Sequence, residues 1–307
     1  RDCELHGANP VTTPGIKPLP HQLEQEQQLS AGEHTRFRAQ AARANYLGPD
    51  RPDVIYSAKE VCRGMSSPTD VHQAALKRMV RYLRSGPRLV FRFGYQKADH
   101  IDTYADTDWA GCPRTRRSTS GGCTMVGTHL LKCWSSTQAG VAMSSGEAEF
   151  YGAVKGAAAG LGMKALYRDI GYQLPLRLWT DSSAAVGICS RQGLGKLRHL
   201  ECTSLWIQQR IRLGELEVRK IAGEVNPADL YTKYLESKAK IEQLVQLFGG
   251  EFREGRPSAA PQLRKDPVGA GTAEVLYTTP ECATAPAPSM AMLPHLLSAE
   301  EIDRHYG

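Results

Sequence analysis

Tyr104-Ala105-Asp106-Thr107-Asp108-Trp109 closes a strand-like run and places an acidic residue at its end. It is the first of four such placements. Glu149 follows in Ser144-Ser145-Gly146-Glu147-Ala148-Glu149-Phe150, inside an Ala-rich helical pattern, and Asp181 ends the apolar run Leu178-Trp179-Thr180-Asp181-Ser182. Asp229 comes after a turn, in Asn226-Pro227-Ala228-Asp229. Strand ends, a helix start and a turn are the places from which an α/β fold gathers distant carboxylates at one edge of a sheet. Clustered carboxylates repel one another and are costly to desolvate unless cations neutralise them. An all-oxygen donor set suits Mg²⁺, with Mn²⁺ as the alternative, rather than Zn²⁺. A pair of such ions is the equipment of phosphodiester hydrolysis.

Working outward, the chain alternates apolar and polar residues over 88–93 and again over 102–106, both read as strands, the first of them opening the α/β unit. Residues 116–122, rich in Ser, Thr and Gly, read as a hairpin turn, with strands continuing over 124–126 and 130–134. Helical periodicity covers 147–170, a short strand 176–180, a helix begins at 184–189, another spans 203–213, and 215–221 alternates as a strand. Upstream, 31–86 holds three helical segments. The clearest is opened by Ser67-Pro68-Thr69-Asp70, with Ser67 as cap and Pro68 in the first position. On it Val71, Ala75, Met79 and Leu83 share an apolar face, while Lys77, Arg81 and Arg84, with Arg88 beyond, form a basic stripe that is either a solvated face or a phosphate-tracking one.

Residues 1–30 carry six Pro or Gly and a Gln/Glu run and read as a linker or partial edge. The first residue, Arg1, leads to the expectation of a fragment of a longer chain. After about residue 235 the pattern weakens to one amphipathic helix over 238–248. From 253 the composition, with Ala285-Pro286-Ala287-Pro288, is that of a tail unable to bury enough apolar surface to fold, apart from a short partner-binding helix considered near 293–302.

The stretch from 104 to 235 resembles the ribonuclease H domain of a Ty1/copia-type LTR retrotransposon Pol polyprotein. The phrases that carry the likeness run 104–111, 116–122 (Arg116-Arg117-Ser118-Thr119-Ser120-Gly121-Gly122), 141–150, 180–185 and 226–233 (ending Asp229-Leu230-Tyr231-Thr232-Lys233). Arg51-Pro52-Asp53-Val54-Ile55-Tyr56 and Lys77-Arg78-Met79-Val80-Arg81-Tyr82-Leu83 resemble the end of the neighbouring reverse transcriptase. The resemblance implies a ribonuclease H-like mixed five-stranded sheet flanked by helices over 88–236 and a helical thumb- or connection-like end of reverse transcriptase over 31–87; composition, not the resemblance, gives the helix and mostly disordered tail over 237–307. It implies two Mg²⁺ ions: Asp106 bridging both, Asp229 holding the ion that activates water, and Glu149 and Asp181 holding the ion at the leaving 3′ oxygen. The implied substrate is an RNA/DNA hybrid, read through 2′-hydroxyls in a wide minor groove. Lys77, Arg81, Arg84, Arg88, Ser182 and His199 are the candidates for substrate contact. The implied partners are the rest of the Pol polyprotein: the palm and fingers of reverse transcriptase, and integrase.

Each assignment has a neighbour or a plainer reading. Asp108 shares a strand face with Asp106, but Asp106 follows Tyr-Ala as the family's first carboxylate does. Glu147 competes with Glu149, Asp181 and Asp229 are each placed to cap a helix, and His199 in Arg198-His199-Leu200 is a lone histidine. The departures are Leu197-Arg198-His199-Leu200-Glu201 in place of Lys-His-Ile-Asp, and Gly156, Gly160 and Gly162, together with Cys202, which are expected to soften helices at about 1 kcal/mol per interior glycine.

Composition is compatible with this reading without producing it. The 307 residues are 41% hydrophobic, enough for one large or two ordinary domains, and the net charge of +6 permits a nucleic-acid partner. Eight cysteines form no Cys-x-x-Cys pair and nine histidines no metal-binding pair, so neither zinc nor a disulfide framework is indicated. No run reaches the roughly 20 apolar residues of a membrane helix. The expected partner list therefore has no membrane, and the expected setting is intracellular, in a cytoplasmic virus-like particle or the nucleus. Other classes fit less well. Thr107 separates aspartates that a polymerase palm keeps adjacent, an integrase places its glutamate last, and a DEDD exonuclease has Asp-x-Glu where this chain has Asp106-Thr107-Asp108. The runner-up is a catalytically inactive ribonuclease H-like module that binds nucleic acid or a partner.

Overall fold

The computed structural model describes residues 8–97, 99–195 and 202–255, and these described residues fall in one compact unit. His199 and the tail with its 293–302 segment lie outside the described residues.

Pro20–Glu24 forms a short helix, α1, and Ala31–Leu47 a long one, α2, whose start is fixed by Ser30 and Glu33: the Ser30 amide donates to the Glu33 carboxylate at 3.0 Å. Gly48-Pro49 ends α2, and α3 (Ile55–Arg63) returns beneath it. The following helix, α4, runs Asp70–Ser85, and its N-cap is Thr69 rather than Ser67. An isolated bridge between Gln28 and Thr69 holds that stretch extended, with the Asp70 amide donating to the Gln27 carbonyl, so the helix cannot start at Pro68. Leu76, Met79 and Tyr82 are its buried face; of the four residues expected there only Met79 is fully buried.

Arg88–Phe91 forms strand β1. It does not open the main sheet as expected: it pairs antiparallel with β7 (Gly250–Arg253) in a separate two-stranded ribbon, with Leu89, Phe91 and Phe252 against the helical core. The five-stranded sheet contains β2 (Ile101–Asp108), β3 (Thr119–Val126), β4 (His129–Thr137), β5 (Leu176–Thr180) and β6 (Glu217–Lys220) in the order β4-β3-β2-β5-β6. The β2–β3 and β3–β4 pairs are antiparallel, β2–β5 and β5–β6 parallel. Both edges of β2 are thus taken, leaving β1 no place beside it. This mixed sheet with helical crossovers is the ribonuclease H-like architecture that the resemblance implies. Among the described residues no helix is long and apolar enough to cross a membrane.

Residues 119–122 lie inside β3, not in a turn. Glycine in a strand often marks a close approach. Gly121 sits opposite Asp106 in the register, and a Cβ on it would come within 2.7 Å of Tyr231 and Thr232.

Two apolar layers cover the sheet. On one face lie α5 (Ser145–Asp169), α6 (Ser183–Ser190) and α7 (Trp206–Arg212), packing Phe150, Ala153, Ile188 and Ile207 against Ile101, Ala105, Leu176 and Leu178. Cys123 and Met125 of β3 join the other layer, with Phe37, Val61, Leu76, Met79 and Tyr82 of the N-terminal helices and Ile241, Leu244 and Val245 of α8 (Lys238–Gln246). The N-terminal helices and the sheet therefore share one core. The expected softening of α5 by glycine is reversed at two of its positions. Gly152, Gly156 and Gly160 form an i, i+4, i+8 stripe against the sheet, where a Cβ would meet Thr107, Leu178 and the Thr103 hydroxyl at 2.3, 2.9 and 2.7 Å. Their lack of a side chain is what lets the helix approach. Gly162 faces open space and keeps the expected cost.

Candidate active site

β2 and β5 run parallel, so both finish at the same end of the sheet, and α5 starts there. Ligands bind at the carboxyl ends of parallel strands in open α/β sheets. Asp106 is near the end of β2, Asp181 directly follows β5, and Glu149 lies in the first turns of α5. One carboxylate oxygen from each of the three lies within 4.8 Å of the others.

The competing readings separate cleanly, because at each point a neighbour performs the structural task. Glu147 accepts the Met143 amide at 2.8 Å while its own amide donates to the Ser144 hydroxyl at 3.2 Å, fastening the start of α5. One residue pair later on the same helix, Glu149 is left for the cluster. Ser182, expected as a substrate contact, caps α6 by accepting the Ala185 amide at 3.2 Å, so Asp181 is not the cap. Asn226 accepts the Ala228 amide at 3.1 Å and caps the 3-10 turn Pro227–Tyr231, and its side-chain amide donates to the Ala105 carbonyl of β2 at 3.3 Å. That bond ties the turn to the strand that carries Asp106 and frees Asp229. Asp108 is not among the three clustered groups: its carboxylate fills the space beside Gly111, where a Cβ would overlap it.

Asp229, buried like Asp106, is next to it rather than inside the triad. Lys233 joins the two: its Nζ is 2.7 Å from Asp229 Oδ1 and 3.6 Å from Asp106 Oδ2. The Thr232 hydroxyl donates to Asp106 Oδ2. The close passage over Gly121 brings both groups there.

Electrostatics bear out the crowding. Burial, then the charges of Asp106 and Asp181, push the Glu149 carboxyl up to about 9. Burial and Asp106 push Asp229 up to about 6 and raise Asp181 as well. Asp108 is raised by burial and, less, by Asp106. Burial favours the neutral form of Lys233, but Asp106 and Asp229 outweigh it and hold the ammonium above its ordinary value. Carboxylates so packed call for a cation of high charge, and an all-oxygen set fits Mg²⁺ or Mn²⁺. The donors present therefore fit the group that the resemblance implies.

The basic stripe lies elsewhere, on α4. Arg81 Nε donates to the Asn9 carbonyl at 2.6 Å and Arg84 Nη1 to the Ala8 carbonyl at 3.3 Å, so the N-terminal segment runs along that face. Arg88 reaches the Glu254 carbonyl at 3.5 Å, and Lys77 is exposed. Thr232, Lys233 and Asn226 carried no role in the sequence reading, although all three stand in its last motif. The i, i+4 spacing of Asp229 and Lys233 was the available signal.

Three transposon proteins are similar to this chain over 65–76% of its length. The chain is 28% identical over 235 residues to the retrovirus-related Pol polyprotein from transposon RE1 of Arabidopsis thaliana, covering 76% of this chain and 16% of that protein. It is 29% identical over 208 residues to that from RE2 of the same plant, and 28% over 202 residues to that from TNT 1-94 of Nicotiana tabacum. The chain is a homologue of copia-type retrotransposon Pol polyproteins. It spans about one sixth of the length of these relatives. No family model matches it. Among solved structures, LC11-RNase H1 aligns at 18% identity with a TM-score of 0.32 over 44% of this chain and 93% of that one. The same enzyme in complex with an RNA/DNA hybrid aligns at 16% identity with a TM-score of 0.31.

Proposed function

We propose that this segment of a transposon Pol polyprotein is a ribonuclease H that hydrolyses the RNA strand of RNA/DNA hybrids with two divalent ions, Mg²⁺ or Mn²⁺. The observation that carries it is the convergence of Asp106, Glu149 and Asp181 within 4.8 Å at the end of the central strands, with Asp229 against Asp106. Bound ions supply charge neutralisation at the scissile phosphate and an activated water. The protein's own contribution is placement. Thr232 holds one oxygen of Asp106, Asn226 fixes the turn bearing Asp229, Glu147 and Ser144 fasten the helix start that aims Glu149, and Ser182 caps α6 so that Asp181 stays free.

The proposed partners are the hybrid and the other parts of a Pol polyprotein: the palm and fingers of reverse transcriptase, and integrase. The proposed setting is intracellular, in a cytoplasmic virus-like particle or the nucleus. The sequence contains no adjacent pair of aspartates of the polymerase kind, and no primer extension is expected of this chain.

The test is cleavage of end-labelled RNA/DNA hybrid, single-stranded RNA, duplex DNA and a primed template in Mg²⁺ and in Mn²⁺. Cutting confined to the RNA of the hybrid supports the proposal. Hybrid left intact in both metals by folded protein would favour the inactive binding module.

A further inference from the structure

The carboxylate cluster already contains a cation of the protein's own. Lys233 stands between Asp229, at 2.7 Å, and Asp106, at 3.6 Å, the two carboxylates on one side of the cluster. Its placement follows from the chain path: the turn Pro227–Tyr231 sets Asp229, and one helical spacing later the lysine returns over the same carboxylate while Thr232 grips Asp106. An ammonium in contact with two carboxylates occupies the electrostatic position that an ion shared by them would take. Two cations so close to the same oxygens repel each other strongly. The Lys233 side chain is 44% exposed, against 5% for Asp106 and 12% for Asp229, so the ammonium sits at the solvent side of buried partners with a way out. A long flexible stem makes such a movement easy.

We propose that Lys233 is a resident counter-cation of the site. It holds Asp106 and Asp229 together without metal and swings outward when a divalent ion enters, so that ion binding on that side is an exchange of one cation for another. This rests on the reading of the cluster as a divalent-metal centre. It makes Lys233 a positioning residue with two opposed effects: it keeps Asp106 and Asp229 in place before an ion binds and weakens the apparent affinity for the ion.

Mn²⁺ binding, followed by electron paramagnetic resonance at low ionic strength, tests this on the wild type and on Lys233→Gln, Lys233→Met and Lys233→Arg. Thermal melting in EDTA and in Mn²⁺ accompanies it. Removing the charge is expected to tighten Mn²⁺ binding by about fivefold, the upper end of what one partly exposed ion pair contributes. It should also lower the melting temperature in EDTA and restore it in Mn²⁺, whereas Lys233→Arg stays near the wild type. Wild-type binding that is unchanged or weakened in both neutral variants overturns the exchange while leaving the metal centre standing. Absence of Mn²⁺ binding in every protein overturns both.

Discussion

Gly152 of α5 rests on Thr107 of β2 so closely that a Cβ on the glycine would lie 2.3 Å from the threonine hydroxyl. This contact sets the height of the helix start above the strand, and therefore the reach of Glu149 toward Asp106. Gly152→Ala forces a buried overlap of the kind that costs about 1–3 kcal/mol, and the shift also displaces Glu149. Gly162→Ala, on the open side of the same helix, should instead gain up to about 1 kcal/mol from helix propensity. Urea unfolding of both variants checks the pair. Equal responses would mean that the helix does not bear on the sheet through Gly152.

Arg51 and Asp53 form a bidentate pair at 2.8 and 2.9 Å with both side chains almost fully buried, and the Tyr82 hydroxyl donates to the same carboxylate at 2.8 Å. The network locks the corner between α2 and α3 onto α4. Asp53→Asn leaves a buried guanidinium half paired and should destabilise by about 3–5 kcal/mol. Tyr82→Phe removes one bond to a charged group and should lose about 1.5–3 kcal/mol. Because these helices share a core with β3, a chain shortened to start at Arg88 is expected to aggregate rather than fold, which soluble expression and circular dichroism would show. A folded, soluble fragment would mean that the sheet does not need this layer.

The legible parts of this fold are those with local signals. Strands over 101–108 and 176–180 alternate or carry a compact apolar run, α5 has sustained periodicity, and the carboxylates arrive in distinctive phrases. What was misread depends on partners far along the chain. β1 pairs with residues 250–253, the start of α4 is set by Gln27 and Gln28, and the glycine stripe of α5 is a defect by propensity until the sheet beneath it is known. Gly121 and Gly122 look like turn residues because the close passage of Tyr231 and Trp134 is invisible locally. The role of Lys233 is hidden from local sequence for the same reason: its tie to Asp106 is long-range.

The carboxyls of Glu149, at about 9, and Asp229, at about 6, lie above their ordinary values of 4.5 and 3.8, chiefly through burial and then the charge of Asp106. A carboxyl raised in the fold contributes stability that is full below its unfolded value and is lost as pH climbs through the folded one. In EDTA the melting temperature should therefore fall from about pH 4 to about pH 9 as these groups ionise. Added Mg²⁺ should raise it far more near the top of that window than near the bottom. A metal-free melting temperature that climbs across the window contradicts the crowding described.

On α4, Lys77 is exposed while Arg81 and Arg84 are engaged by the carbonyls of Asn9 and Ala8. If this face tracks phosphates, each contact contributes about 0.9 to the slope of log affinity against log salt for B-form DNA, and a hybrid should be of the same order. Lys77→Ala is then expected to lower the slope for a hybrid by about that much. Arg81→Ala should lower it less and loosen the segment along α4. Fluorescence anisotropy across a salt series measures both, and an unaltered slope for Lys77→Ala would leave the stripe as a solvated helix face.

Asp106 and Asp108 are two residues apart on β2, yet only Asp106 joins Glu149 and Asp181, while Asp108 fills the space beside Gly111. Asp106→Asn is nearly isosteric but removes the charge at the centre of the cluster. Metal-borne stabilisation of the transition state is worth several kcal/mol, and each 1.4 kcal/mol is tenfold in rate, so hybrid cleavage should fall by about three orders of magnitude. Asp108→Asn lies outside the cluster and should stay within about tenfold of the wild type. The Asn variant at 106 should also melt higher than the wild type in EDTA, because one source of repulsion on Glu149, Asp181 and Asp229 is gone. A chain that is inactive, more stable without metal and less stabilised by Mg²⁺ would separate loss of the metal centre from loss of the fold. Equal loss of cleavage in both variants would instead place the first ligand at Asp108 and refute the assignment.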